Sequence, residues 1–152
     1  MSLTIEKQEA KRIYPESPEW FQKQLVQAFG EECFKEKGFE TIKTFEDACA
    51  VVGIDPGLFL NRNDTPDELA YKKLKVIVRA INDGWVPDWS NRDQYKYYPW
   101  FEVLSSGFGF SDSDYDCTYT DAYVGSRLCF ESREKSDYAA SQFVDLYKQF
   151  LL

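Results

Sequence analysis

The sequence predicts a single α+β unit: an N-terminal helical region, then an antiparallel meander of three to four strands, then a C-terminal helix covering the sheet. Three observations predict it. Apolar residues recur at helical spacing through much of residues 1–84. Short aromatic and β-branched runs alternate with turn residues over 100–130. A wide apolar stripe at i, i+4 spacing follows Ser132. Helices, then strands, then a covering helix is the α+β pattern. The 152 residues suffice for one hydrophobic core and are short for two. The expected domain is therefore 1–152, with the helical part at about 1–84 and an aromatic connector, the sheet and the final helix at about 85–152.

The first helix is expected from Ser17, with Pro18 in the first turn, where a missing N–H costs nothing. Trp20, Phe21, Leu25, Ala28 and Phe29 supply its apolar positions. A short second helix runs from Thr44, with Asp47 as reciprocal cap, to Val52 before Gly53. The stretch IDPGLFLNRND reads as a loop. The third helix has the clearest ends. Thr65-Pro66-Asp67-Glu68 gives the N-cap, the first-turn proline and a capping glutamate. Asn82-Asp83-Gly84 stops it, with the glycine expected as the left-handed cap.

Residues 85–101, WVPDWSNRDQYKYYPWF, form a polar-aromatic connector. Strands are expected at Trp100–Leu104, Gly107–Ser111, Tyr115–Thr120 and Tyr123–Phe130. Turns are expected at Ser105-Ser106-Gly107, at Asp112-Ser113-Asp114 and between Asp121 and Gly125. Ser132 then caps a last helix whose stripe is Tyr138, Ala139, Phe143, Leu146, Tyr147, Phe150 and Leu151.

The chain contains no histidine. That removes the commonest general base and the commonest metal ligand, so histidine triads and zinc sites lose their usual centre. No catalytic residue, metal ligand or cofactor is assigned. Cys33, Cys49, Cys117 and Cys129 show no C-x-x-C spacing and are expected as free, mostly buried thiols. No apolar run approaches a membrane span, and the amino terminus is polar, so a cytoplasmic location without membrane contact is expected. Net charge is −8, and the last 68 residues hold 17 of the 26 aromatics. An acidic, aromatic-rich half repels phosphate backbones, which disfavours nucleic acid as partner.

Several partial motifs fail on inspection. Ser106-Gly107-Phe108-Gly109-Phe110 matches the middle of an RNP1 pattern but lacks its leading basic residue and closing aromatic. Asp112, Asp114, Asp116 and Asp121 resemble the start of a calcium loop, yet Cys117 stands where glycine is needed and Tyr123 where glutamate is needed. Thr44–Asp55 resembles the first helix of a helix-turn-helix, but Pro56-Gly57 opens a poor recognition helix. Arg127 suits an anion, or a strand partner such as Glu102 or Glu131.

The strongest candidate is the connector. Trp85, Trp89, Tyr97, Tyr98 and Trp100 offer large contact area at low entropic cost, beside Asp88, Asn91, Arg92 and Lys96. With Phe108, Phe110 and Arg127 they form the candidate binding set, and an unknown protein partner is expected. One alternative is a single-stranded nucleic-acid binder stacking bases on Phe108 and Phe110. A second is a small carboxylate-based hydrolase.

The stretches AKRIYPESPEWFQKQL, IKTFEDACAVVGIDP, YKKLKVIVRAINDGWVPDWSN, YYPWFEVLSSGFGF and VGSRLCFES resemble a family of small proteins common in gut Bacteroides genomes, often near phage or mobile-element genes. The resemblance covers nearly the whole chain and carries no functional residue with it. It implies cytoplasmic expression and an accessory binding role in a phage or mobile element.

Overall fold

The computed structural model describes residues 5, 9–10, 13–34, 38–59, 63–119 and 127–152. The chain is mixed α+β and divides into two compact units, Met1–Lys37 and Gly38–Leu152. The boundary between them falls before the second expected helix.

In the first unit, α1 (Glu19–Phe29) starts one residue after Pro18, which takes the N-cap position. Ser17 does not cap it. Its hydroxyl donates to the Ile13 carbonyl at 2.7 Å and closes the preceding 3-10 turn, Tyr14–Glu16. Leu25 is the helix's buried residue, whereas Trp20 is 64% exposed, so the apolar stripe is narrower than expected. Tyr14 stacks on Phe34 with ring centroids 4.2 Å apart. The Gln22 amide adds a 2.9 Å bond to the Tyr14 carbonyl.

The second unit begins with helices whose starts are written locally. α2 (Phe45–Val52) opens on the expected capping box. Thr44 Oγ1 accepts from the Asp47 N–H at 3.1 Å, and the Asp47 carboxylate accepts from the Thr44 N–H at 2.9 Å. Gly53, at φ 71°, closes the helix. A 3-10 turn, Pro56–Phe59, stands where a recognition helix would have followed. α3 (Pro66–Asn82) opens with Glu68 accepting from the Thr65 N–H at 2.8 Å. Its left-handed cap is Asp83, at φ 49°, and Gly84 takes the next left-handed position. Leu74, Ile77 and Ile81 are fully buried at the centre of the core. No helix among the described residues is long and apolar enough to cross a membrane.

The sheet departs from the expected meander. Among the described residues it has two antiparallel strands, β1 (Lys96–Leu104) and β2 (Gly107–Asp116), with a bulge between Trp100 and Phe101. Asp112-Ser113-Asp114 is not a turn but lies inside β2. Tyr115 and Asp116 extend β2 and do not begin a third strand. Of the expected last strand, Phe130 makes a single antiparallel bridge to Tyr97, with bonds of 2.9 and 2.7 Å. The expected turn between Asp121 and Gly125 lies outside the described residues.

The register explains why an acid-rich stretch is strand. Tyr97 spends its N–H and carbonyl on Phe130, so both point away from β2. Its partner Tyr115 and the next pair, Pro99 and Ser113, are therefore non-hydrogen-bonded pairs. The N–H groups of Ser113 and Tyr115 face the outer edge of β2, away from β1. The carboxylates of Asp112, Asp114 and Asp116 accept from the N–H groups of Ser113, Tyr115 and Cys117 at 2.8, 2.8 and 2.9 Å. The Arg133 guanidinium donates to the outward carbonyl of Ser113 and holds Asp112 at 3.0 Å. Pro99 has no N–H to expose on the other edge. Both edges are blunted against pairing with another chain.

Replacing Asp112, Asp114 and Asp116 together by alanine uncovers that edge. The triple variant is expected to self-associate with rising concentration, read by light scattering after size exclusion. The corresponding triple asparagine variant loses the same charge but keeps an acceptor oxygen, and is expected to behave as wild type. Equal molar mass for the alanine variant and wild type at every concentration would refute the capping role.

The expected final helix is two helices, α4 (Arg133–Gln142) and α5 (Val144–Leu151), broken at Phe143, φ −114° and ψ 28°. Ser132 caps the first, accepting from the Lys135 N–H at 3.3 Å. α4 lies across both strands, and the buried hydroxyls of Ser113 and Ser136 meet at 2.7 Å. α5 turns away to pack on α3, with Phe150 stacked on Tyr71 at 5.2 Å. The break lets one apolar stripe serve two surfaces. Ala139, Phe143 and Tyr147 are buried, and Tyr138, Leu146, Phe150 and Leu151 are half-buried.

Candidate functional site

α3 and the connector form the two long walls of a cleft of about 740 Å³. The chain reverses at Asp83-Gly84, where the Trp85 N–H donates to the Asn82 carbonyl at 3.0 Å. This lays Trp85, Val86, Pro87 and Trp89 beside the Lys72, Lys75, Val76 and Arg79 flank of α3. Leu58 and Phe59 from the 3-10 turn, with Ile54 just before it, add an apolar side. Arg127 and Cys129 complete the lining.

The connector is irregular yet fixed. Asp88 accepts from the Ser90 N–H at 2.9 Å and from its hydroxyl at 2.6 Å, an Asx turn. The Ser90 hydroxyl, more than its N–H, holds the Asp88 carboxyl below the usual carboxylate range. Asn91 makes a second such turn, accepting from the Asp93 N–H at 2.9 Å. Both wrap around Lys96, whose side chain is fully buried. Its ammonium donates to the carbonyls of Asn91, Gln94 and Cys117 at 3.1, 2.8 and 2.8 Å. Three donors meet three acceptors, which is the full capacity of an ammonium. The same nitrogen lies 5.2 Å from the centroid of the Trp89 ring, which braces that indole at the cleft. The Trp89 Nε1–H itself is buried without a hydrogen-bond partner among the described residues.

Asn82 fixes the other end. Its side chain donates to the Cys129 carbonyl at 2.9 Å and accepts from the Glu131 N–H at 3.2 Å. Residues 129–131 are thereby fastened to the end of α3, which brings Arg127 to the cleft. Glu131, one expected partner for Arg127, instead holds Lys135 at 2.6 Å. Burial pushes the Cys129 thiol up to about 11, so it is protonated through neutral pH and is no nucleophile there.

No known protein family, curated protein or solved structure matches this chain.

The candidate residues separate into three groups. Trp85, Trp89 and Arg127 come together in the cleft. Tyr98, Trp100 and Phe108 line a smaller hollow of about 270 Å³, against Tyr147 and Phe150. Tyr97 packs on the core, with Tyr115 and Arg133 beside it. Phe110 sets its edge against Phe101, and Phe108 stacks on the same ring at 5.0 Å. The rings proposed for base stacking thus already serve a protein neighbour. Trp85, Trp89, Tyr97 and Tyr98 are half-buried, and Trp100 is exposed.

Sequence reasoning missed Lys72, Lys75 and Arg79. The signal was present, since spacing of three and four residues puts them on one helix flank. The apolar face of the same helix carries the stronger periodic signal.

Proposed function

We propose that this chain is a non-catalytic binding protein that holds a protein or peptide segment in the cleft between α3 and the connector. The observation that carries it is that Trp85 and Trp89, both half-exposed, line one open cleft of about 740 Å³ and are held by a pre-formed loop. Rigid tryptophans in a pre-organised concave site are the usual anchors of binding energy. Ammonium, guanidinium, indole and aliphatic groups around one protonated thiol suit binding better than bond-making. An accessory role in a phage or mobile element is part of the same proposal.

The test is selection of a random displayed peptide library on the immobilised full chain. Peptides that bind wild type should lose about tenfold or more of their affinity for Trp85→Ala, the scale of a hot-spot anchor. Leu58→Ser with Val86→Ser provides a second variant, because both side chains line the cleft and are largely exposed, so little buried packing is lost. It should also weaken binding. A library that yields no cleft-dependent peptide would overturn the proposal.

A further inference from the structure

We infer that the cleft selects an acidic segment: a peptide stretch of a partner protein with carboxylates flanking one bulky apolar or aromatic side chain. This deepens the binding reading above and rests on it. The chain has 26 acidic and 18 basic residues, yet the cleft's described lining holds four basic side chains, Lys72, Lys75, Arg79 and Arg127, and no acid. Lys72 is already neutralised by Asp64, with both carboxylate oxygens within 2.7 Å. Lys75, Arg79 and Arg127 have no carboxylate partner among the described residues. Arg79 and Arg127 are exposed. Lys75 lies 4.9 Å from the Tyr71 ring centroid.

Such segregation makes the cleft a local positive region on a negative molecule. Low-dielectric walls of Trp85, Trp89, Ile54 and Val76 focus that field. An occupant must therefore carry negative charge where it meets Lys75, Arg79 and Arg127. It must also carry an apolar group for the indoles and aliphatics between them. Arginine additionally favours planar carboxylates through paired N–H donors. A long polyanion fits less well. Single-stranded nucleic acid needs a basic track beyond the stacking groups, and here the surroundings are net negative. A short acidic segment places its charge only where the cations are.

The same displayed library gives the test, followed by titration of synthetic peptides against the full chain. Peptides enriched in Asp and Glu beside Trp, Phe, Leu or Ile are expected. Their affinity should fall about tenfold or more for Lys75→Glu with Arg79→Glu, and by a similar factor for Arg127→Glu. It should also weaken several-fold as salt rises past the screening range. Arg79 and Arg127 are exposed and Lys75 is half-buried, and a companion Arg79→Gln variant with an unchanged melting curve guards against misfolding. Neutral or basic peptides that are lost on Trp85→Ala but indifferent to charge reversal would overturn this inference while leaving the binding reading intact. No enriched peptide at all would overturn both. A labelled oligothymidylate that binds more tightly than any peptide and displaces it would overturn the acidic-peptide assignment in favour of nucleic acid.

Discussion

Phe143→Ala is expected to destabilise the second unit by about 3–5 kcal/mol, the usual cost of deleting a buried phenylalanine. Phe143 is 8% exposed and sits at the break between α4 and α5. Its N–H closes α4 on the Ala139 carbonyl at 3.0 Å, and its carbonyl accepts from the Leu146 and Tyr147 N–H groups, both at 3.0 Å. The ring belongs to the core cluster that joins α2, α3, the Leu128–Phe130 segment and both final helices. Removing it leaves a cavity at the one place where the sheet-covering helix and the α3-packing helix meet. At about 2–4 °C per kcal/mol the melting temperature should fall by roughly 6–20 °C. A melt within a degree or two of wild type would show that the final helices are peripheral and that their apolar stripe faces something other than this core.

Lys96→Met should have a comparable effect for a different reason. The thioether chain fills much the same volume, so little packing is lost. Three carbonyls, of Asn91, Gln94 and Cys117, lose their common donor. An unsatisfied buried acceptor costs about 1–3 kcal/mol. Relief from desolvating a charge offsets part of this, which leaves a net loss of about 2–4 kcal/mol. The cleft should suffer as well, because Lys96 braces the Trp89 ring and the Asx turns wrap around its ammonium. Thermal melts read the stability, and the binding of selected peptides reads the cleft. Unchanged stability would mean that water satisfies the three carbonyls and that Lys96 is not the post around which the connector is built.

Legibility in the sequence followed the range of the interaction. The starts of α2, α3 and α4 were readable because Thr44 with Asp47, Thr65 with Glu68, and Ser132 with Lys135 each act across three residues. Trp85 and Trp89 were singled out by residue type, and both line the cleft. Their neighbours were not readable. Lys75 and Arg79 meet Arg127 because Asn82 fastens Cys129 and Glu131 to the end of α3, a contact across nearly fifty residues. Nothing within the local sequence of Arg127 states it.

The strands show the same limit from the other side. Asp112-Ser113-Asp114 has the composition of a turn, since aspartate side chains bond readily to nearby backbone N–H groups. They do so here, but on the outward edge of β2, where the same local bond caps a strand. Which of the two occurs depends on whether β1 stands opposite, and only the fold supplies that. The single final helix was expected because its stripe is continuous in sequence. Two packing surfaces, the sheet and α3, split it at Phe143. By itself the sequence determined the starts of α2, α3 and α4, the α+β mixture, the protein's acidity and the location of its aromatics. The tertiary structure decided strand number, edge protection and the gathering of cations at the cleft, because each depends on groups far apart in the chain that only folding brings within reach.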